Sequence, residues 1–529
     1  MSDSSNSGIY VAEDPARGQP IPLDGESVTA FVGPAPRGPV DHAVRVDSSE
    51  TFQKIFGIPE YHCRLEFAVR QFFANGGSNA VVVRISATRA CNKIFLPGDA
   101  GDLVLEARNP GPLEYLRASV DYDGLDILPG ETAETCKRFN LVVQRLRGPG
   151  SAWIDSQEYH RNISIDPASR DFVGYVLSQS DLVRFAGDLP LSRPHEVIRP
   201  TTMREAGYVE AVTDRVHSPI PGDYDLVGSA AQGTGLNALE HVADVGQLCI
   251  LPGGDGESLG PVGLLAADRF CREHQALLIV DPPARWQSVD DVLADQETSG
   301  FSSPNAVTWY PGVRARNRQG TSIVTTVVGS VAASLNALDA PQGVHPFYSD
   351  GPIMLRGGVK LTAQLSAADI RRLARAGVNS LVRRSPLHFQ LQGNVSQARY
   401  ASMAHDWDNL RLRRQALFIL RRIRLGTRWT LFLESSPALW REVGEQIDEF
   451  LLALFERSVL VGDSVEQACF MKCDADTNRG LAGNMGDIAF IVGFALREPG
   501  EFLAFRVHIA SGECRISELG WQAGFAQAV

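Results

Sequence analysis

The sequence lacks an excess of positive charge and a long apolar run, and each absence excludes a class of protein. Its 529 residues contain 50 Lys and Arg against 62 Asp and Glu, a formal net charge of -12 at pH 7. A nucleic-acid-binding protein usually carries a basic surface, so we expect no nucleic acid as a partner. The longest nearly apolar run, Ile488 to Leu496, is far shorter than the roughly 20 residues of a spanning helix. We therefore expect no direct membrane insertion.

Signals for secretion and metal binding are also missing. The N-terminus MSDSSNSGIYVAED has neither the basic nor the apolar region of a signal peptide, which favours synthesis and folding in a cytoplasm. The eight cysteines are scattered and form no CxxC pair. The closest two, Cys469 and Cys473, have no histidine nearby, so we predict no metal site.

Catalytic motifs are absent as well, because the sequence contains no P-loop, no GxSxG and no HExxH. The loop Gly253–Gly260 follows a predicted strand and precedes a predicted helix, a position suited to phosphate, but it lacks GxGxxG. Asp281 ends a predicted strand, where α/β enzymes place catalytic acids, although the two prolines after it also fit a turn. An α/β enzyme with a site near residues 252–283 is thus the alternative to our main expectation of no enzyme and no cofactor.

The hydrophobic pattern that is present predicts a multi-domain α/β (mixed α+β) protein. Strands over 27–33 and 79–85 enclose helical patterns and predict a β-α-β unit. Strands over 247–252 and 276–283 flank an amphipathic helix, which predicts a parallel pair with a right-handed crossover. The stretch between these two regions is rich in Gly, Pro, Asp and Arg and has only short strands, which indicates an inserted, mostly β domain.

We divide the chain into six segments on this pattern. They are an N-terminal arm (1–25), the first part of an inner domain (26–86), an inserted variable outer domain (87–234), an inner α/β domain (235–385), a C-terminal domain (386–510) and a C-terminal arm (511–529). The two arms contain short β-type runs, Ile9-Tyr10-Val11 and Cys514-Arg515-Ile516-Ser517. Both runs are too short to be stable as isolated strands.

Two helices are predicted late in the chain, over Asn409 to Leu425 and over Pro437 to Arg457, with a strand over RWTLFLE between them. In the first helix an apolar face opposes a face of arginines, with only Asp406 and Asp408 as nearby acidic residues. These arginines either pair within the protein or contact an acidic partner. They are Arg411, Arg413, Arg414, Arg421, Arg422, Arg424 and Arg428.

Several segments, in the same order, resemble the tail sheath proteins of contractile phage tails and related injection machines. The resemblance covers about residues 8–86 and 235–507. Residues 87–234 match nothing, as expected for the variable outer domain of that family, and the family's Glu-Pro-Asn appears here as Glu434-Ser435-Ser436. The segments that carry it are GIYVAED, SVTAFVGPAPRGPVDHAVRVDSSETFQKIFG, AVRQFFANGGSNAVVVRI, GLNALEHVADVGQLCILPG, HQALLIVDPPARW, SSPNAVTWYPGVR, LRRQALFILRRIRLGTRWTLFLESSPALW, FMKCDADTN and EFLAFRV.

The resemblance implies a structural function without chemistry. Subunits of such a sheath stack as rings of six around an inner tube, and a trigger at the baseplate releases a contraction that drives the tube through a target envelope. The implied partners are other copies of the chain, the inner tail tube protein, the baseplate and the tail terminator. The implied location is the tail sheath of a virion assembled in a bacterial host cytoplasm. The sheath of a phage-derived bacterial toxin particle is the close alternative.

The resemblance also suggests roles for particular residues. The runs Ile9-Tyr10-Val11 and Cys514-Arg515-Ile516-Ser517 are expected to add strands to neighbouring subunits, beside Glu501 to Ile509. One of the two late helices is expected to face the tube, and charge favours the first. Its candidate contact residues are Arg411, Arg414, Arg421 and Arg422. Two cysteines, Cys514 in the arm and Cys63 near the surface, are candidates for a disulfide between subunits.

Overall fold

The structure is a computed structural model of the chain. It describes residues 18–23, 25, 27–58, 63–111, 114–125, 132, 136–148, 150–197, 207–212, 220–253, 258–316, 320–339, 352–354, 359–386, 388–398, 409–510 and 512–523. The described helices are α1 (Ser49–Phe56), α2 (Arg64–Ala74), α3 (Val173–Ser178), α4 (Asp223–Val227), α5 (Pro261–His274), α6 (Val289–Thr298), α7 (Val328–Asp339), α8 (Ala367–Arg375), α9 (Leu410–Gly426), α10 (Pro437–Glu456) and α11 (Val465–Ala468).

The described strands form five sheets. In chain order they are β1 (Val28–Pro34), β2 (Ala43–Val46), β3 (Ala80–Ile85), β4 (Lys93–Leu96), β5 (Leu103–Ala107), β6 (Leu116–Asp121), β7 (Arg138–Leu146), β8 (Ile154–Ser164), β9 (Val183–Ala186), β10 (Val209–Glu210), β11 (Val245–Ile250), β12 (Leu277–Val280), β13 (Ala306–Tyr310), β14 (Val313–Arg316), β15 (Ser322–Thr325), β16 (Pro352–Met354), β17 (Lys360–Leu361), β18 (Asn379–Arg383), β19 (His388–Gln392), β20 (Cys469–Lys472), β21 (Ile488–Phe494), β22 (Glu501–Ala510) and β23 (Glu513–Ala523).

The largest sheet has nine strands in the order β16-β19-β18-β13-β12-β11-β1-β3-β2. Its central strands are parallel, including β1 with β3 and β11 with β12, so both predicted parallel pairs are confirmed. Strand β1 also pairs with β11, which joins the N-terminal part of the chain to the part beyond residue 245. The mixed α/β class predicted from the pattern is confirmed.

Both faces of this sheet are covered, which explains why β3 and β11 are buried along their whole length and are apolar except for Arg84 and Gln247. Helices α1, α2 and α7 pack with one face in a core that includes Phe31, Phe72 and Trp309. Helix α5 packs on the other face, in a core that includes Leu248 and Phe270. The cores place residues from distant parts of the chain together, as the non-local order of the strands requires.

Residues 93–210 form two small antiparallel sheets, β10-β6-β7-β8 and β4-β5-β9, around a separate core. The predicted segment boundaries differ from the membership of the sheets and cores at several points, among them the place of Ile21 and of β23 in the C-terminal region. Leu226 of α4 belongs to the core of the large sheet, before the predicted boundary at 234. Strand β19 belongs to the large sheet, after the predicted boundary at 385. The division into domains otherwise stays a prediction.

The C-terminal region consists of the antiparallel sheet β20-β21-β22-β23 and the two late helices. Helices α9 and α10 lie within one or two residues of their predicted bounds. Asn409 caps α9 by accepting from the amides of Arg411 and Leu412, and Ser436 caps α10 by accepting from Leu439. Helix α1 is capped by Ser48, whose side chain accepts from the amide of Thr51.

The strand predicted over RWTLFLE is wrong, because Arg428–Phe432 is a 3₁₀ helix. The segment turns the chain between two packed helices, and its Trp429 is buried with the indole N–H bonded to Gln446 (3.1 Å). The Thr430 hydroxyl donates to the Thr427 carbonyl (2.9 Å), which closes the turn locally. Separately, none of the described helices is long and apolar enough to cross a membrane.

Candidate functional site

Helix α9 lies between two hydrophobic cores. Leu410 and Leu417 belong to the core of the large sheet, whereas Ala416, Ile419 and Ile423 belong to the core of the C-terminal region. Thirteen of its 17 residues are buried, and four of these are arginines. The helix is therefore an internal element that joins two units, and its charged side chains need partners inside the protein.

The arginines near its C-terminal end bind the loop that precedes β11 and the end of α5. The Nε of Arg421 donates to Asp244 Oδ1 (2.7 Å), and Nη1 of Arg422 lies 3.4 Å from Asp244 Oδ2. Arg421 also donates to the carbonyl of Gln275 (3.2 Å), and Arg424 donates to the carbonyl of Glu273 (3.1 Å). Guanidinium groups at these carbonyls satisfy acceptors that the last turn of α5 leaves open.

Two arginines near the N-terminal half of α9 reach other elements. Arg414 donates to the carbonyl of Leu335 in α7 (2.9 Å). The Nε of Arg413 donates to the side chain of Asn305 (2.8 Å), while its Nη1 lies 3.5 Å from Glu518 of β23. Burial lowers the pKa of Arg413 to about 10, although the Glu518 charge acts in the opposite direction.

Three of the four arginines predicted to face the tube lie inside the chain. Arg414, Arg421 and Arg422 are each no more than 6% exposed and bind groups of the same chain. Arg411 is partly buried, and its side-chain Nε is enclosed. The charge pairing takes place inside the protein, which is the other interpretation that the sequence left open.

Sequence reasoning missed the partners of these arginines, Asp244, Asn305, Gln275 and Glu518. They lie far from α9 in the sequence, so no local pattern pairs them with it. One signal was present: besides the predicted apolar face, Leu410, Leu417 and Phe418 lie among the arginines on the other side of the helix. Apolar residues all round a helix indicate burial on every side.

Helix α10 has the more usual division into two faces. Eight of its 20 residues are buried, among them Trp440, Val443 and Phe450. Its outer face is mainly acidic, with Arg441 as an exposed cation at its N-terminal end. The exposed acidic residues are Glu445, Asp448, Glu449 and Glu456.

The C-terminal run Cys514-Arg515-Ile516-Ser517 lies in β23, an 11-residue strand that pairs antiparallel with β22 of the same chain. This is the segment beside which the run was expected to add, Glu501 to Ile509, but the pairing here is within one chain. Among the described strands, β23 is an edge of its sheet, a position at which a further strand can pair. The N-terminal run Ile9-Tyr10-Val11 lies outside the described residues.

A short N-terminal segment, residues 18–25, lies against the pair formed by α9 and α10. Ile21 is buried in the C-terminal core, and a Cβ on Gly426 would stand only 2.6 Å from it. Gln446 of α10 donates to the carbonyl of Gln19 (2.6 Å), and Arg422 of α9 donates to the carbonyl of Gly25 (2.5 Å). The chain that precedes β1 is thereby fastened to both late helices.

The two candidate cysteines are partly buried thiols. Burial raises the pKa of Cys63 to about 11, and its Sγ donates to the carbonyl of Pro34 (3.3 Å). Burial also raises the pKa of Cys514 to about 11, against the opposing effect of Arg424. Thiols with such pKa values are poor nucleophiles at neutral pH. A disulfide between subunits stays a prediction, which non-reducing gels of aged particles test.

The region proposed for an enzyme site contains groups that bind one another. Asp223 of α4 accepts from the amides of Gly260 (3.0 Å) and Gly263 (2.9 Å), so a carboxylate of the chain occupies the start of α5 where a phosphate was considered. Oδ2 of Asp281 lies 3.9 Å from Nη2 of Arg64, and burial raises the pKa of Asp281. Among the described residues, no group of three or more His, Cys, Asp or Glu is placed to hold a metal.

No family model and no curated protein matches the sequence. Solved structures do match. The sheath tail protein of Listeria innocua has a TM-score of 0.58 at 12% identity, covering 94% of this chain and 95% of that one. A sheath tail protein of Desulfitobacterium hafniense has a TM-score of 0.54 at 10% identity, covering 95% and 100%. The chain has the fold of these sheath tail proteins along nearly its whole length, which confirms the resemblance at the level of the fold.

Proposed function

We propose that the chain is the structural subunit of a contractile tail sheath, which polymerises around an inner tube and contracts to drive that tube through a cell envelope. The observation that carries the proposal is the match of the fold to a sheath tail protein over 94% of this chain and 95% of that one. The role is mechanical and needs no catalytic group. The proposed role is the same in a phage tail and in a phage-derived toxin particle. In either case the subunits stack as rings of six that meet a baseplate and a tail terminator.

Strand β23 supports a connection between subunits. It is joined to β22 through a two-residue link, its alternate residues Glu513, Arg515 and Ser517 are exposed, and it forms the edge of its sheet. Main-chain pairing at such an edge is tolerant of movement elsewhere in the subunit. A neighbour's N-terminal run Ile9-Tyr10-Val11 pairs with this edge, or β23 itself pairs with the β22 of a neighbour.

Helix α10, rather than α9, is the late helix that faces the tube in this proposal. The arginines of α9 are used inside the chain, whereas α10 presents an acidic outer face. The tube surface opposite is accordingly basic. Charged contacts suit an interface that must release, because salt and water weaken them.

Negative-stain electron microscopy of the expressed full-length chain, alone and with its tube protein, tests the function. We expect tubular polymers of regular diameter, whose length is independent of added nucleotide. Removal of residues 1–14 leaves a folded chain without polymers, since Ile21 and the other anchors on α9 and α10 are retained. A chain that stays monomeric with tubes present, or that turns over a substrate, contradicts the proposal.

A further inference from the structure

We propose that Arg413 selects the C-terminal strand by binding Glu518, and so sets both the register of β23 on β22 and the strand that is accepted there. The inference rests on the proposed function only where the accepted strand comes from a second copy of the chain. Within one chain it stands on the geometry of β23 and α9 alone.

Glu518 is an acidic residue at a position that faces a hydrophobic core. Its same-side neighbours along β23, Cys514 and Ile516, pack against the core beneath α9 and α10. The register of β23 on β22 is regular from Glu513 to Glu518 and then shifts, with Leu519 as the extra residue and Gly520 opposite Ala504. Glu518 is thus the last inward-facing residue before a bulge, and its carboxylate meets the guanidinium of Arg413.

Arg413 is held in place by groups that do not belong to the strand. Its Nε donates to Asn305, whose own amide donates to the carbonyls of Cys271 and Ala276 at the end of α5. With β23 in place the Arg413 side chain is 8% exposed, and its hydrogen bond to Asn305 holds the guanidinium from outside the strand. A carboxylate arriving there gains a charge-assisted contact in a region of low dielectric.

This arrangement discriminates between registers. A slip of one residue turns Glu518 to the opposite face of the sheet, where Phe470 and Phe502 pack. A slip of two residues places Ile516 or Gly520 where the carboxylate should be and separates Arg413 from it. Either slip creates an apolar mismatch and loses the contact of Glu518 with Arg413. The backbone hydrogen bonds between β22 and β23 would by themselves permit several registers.

Glu518→Gln in the full-length chain tests the selection, with Glu513→Gln as the matched control. Both remove one negative charge from the same strand, but Glu513 is exposed and pairs with Arg515 (3.0 Å). We expect E518Q to speed amide exchange across residues 513–523, and alkylation of Cys514, by about tenfold or more, and E513Q to change them by less than about twofold. Equal effects of the two variants would overturn the proposal.

Exchanging the charges of Arg413 and Glu518 tests whether this pair selects the strand. R413E and E518R each bring like charges together and are expected to loosen β23, while the double variant R413E/E518R restores protection within one chain. If single variants loosen the strand and the double variant does not restore it, the selective role of the pair is refuted and only a packing role is left.

Mixing the two single variants separates this proposal from strand exchange. In the mixture, the strand carrying E518R fits the site carrying R413E on another copy, and the unaltered strand fits the unaltered site. Polymers that form only in the mixture show selection with exchange between copies. Restoration by the double variant, without polymers from the mixture, supports the selection and counts against exchange of β23 in the proposed function.

Discussion

Helices α9 and α10 follow each other in the chain and are both long and rich in charge, yet the fold uses them in opposite ways. Thirteen of 17 residues are buried in α9, against eight of 20 in α10. In α9 the arginines bind carbonyls and carboxylates inside the protein, whereas the acidic residues of α10 point outwards. The comparison teaches that charge on a helix does not by itself mark a surface when apolar residues surround that helix.

The arginines of α9 have partners inside the protein because this helix lies between two cores. A buried guanidinium is costly unless its donors and its charge are satisfied, and here carbonyls at the end of α5 and the carboxylate of Asp244 do so. The planar group with several donors binds more than one acceptor at once, which a lysine cannot do in the same way. On α10, Glu445, Glu449 and Glu456 are exposed, so water solvates these carboxylates.

The largest expected effect is the loss of a buried arginine. Arg421→Ala removes the 2.7 Å donor to Asp244, which keeps only the 3.4 Å contact with Arg422, and also removes the donor to the Gln275 carbonyl. We expect a loss of about 3–5 kcal/mol in the free energy of unfolding. Arg441→Ala, which removes an exposed arginine from α10, is the control and should change stability by less than about 0.5 kcal/mol. Denaturant unfolding measures both. Equal stability of the R421A and R441A chains would contradict the view that the arginines of α9 stabilise the interior while Arg441 of α10 does not.

A smaller effect is expected where α10 carries a buried polar group. Gln446 accepts from Trp429 (3.1 Å) and donates to the Gln19 carbonyl (2.6 Å). Gln446→Ala leaves both unsatisfied and should cost about 1–3 kcal/mol. The adjacent exposed variant Glu445→Ala should cost less than about 0.5 kcal/mol in the same unfolding experiment. Equal losses would mean that the two faces of α10 are not distinct.

The ion pair between Arg64 and Asp281 is longer than the pair between Arg421 and Asp244, and its contribution to stability should depend on pH. Arg64 and Asp281 are 3.9 Å apart, against 2.7 Å for Arg421 and Asp244, and burial raises the pKa of Asp281. A raised folded-state pKa gives stability that is present below the unfolded value of about 3.9 and is lost as pH rises through the folded value.

Asp281→Asn removes this dependence, so the variant should gain stability relative to the original chain as pH rises from about 4 to 7. Unfolding measured across that range checks the sign, with Asp290→Asn, at an exposed aspartate of α6, as the control for a lost charge. A difference between D281N and the original chain that stays constant with pH contradicts the argument.

The smallest effect on stability is expected on the outer face of α10. Glu445→Lys together with Glu449→Lys should alter the free energy of unfolding by no more than about 0.5 kcal/mol per substitution. The same pair should weaken assembly on tubes, most clearly at low salt, because it reverses the proposed contact charge. Electron microscopy and sedimentation with tubes measure this, with Asp290→Lys as the control. Undisturbed sheaths from the double variant would place the tube contact elsewhere.

Elements that depend on local chemistry could be predicted from the residues alone. The bounds of α9 and α10 follow from the capping residues Asn409 and Ser436 and from the apolar repeat, and the parallel strands β11 and β12 follow from two apolar runs around an amphipathic helix. The segment RWTLFLE was predicted wrongly because its alternating apolar residues serve a tight turn between packed helices.

The roles of the charged and polar side chains follow from contacts between elements that are distant in the chain. Asp244 reaches Arg421 across 177 residues, Glu518 reaches Arg413 across 105, and Asp223 occupies the start of α5 across 37 or more. Such partners are chosen by which elements pack together, and packing depends on the order of strands in the sheets rather than on any local spacing. For this reason the arginines of α9 were found in the sequence, while their place in the interior was not.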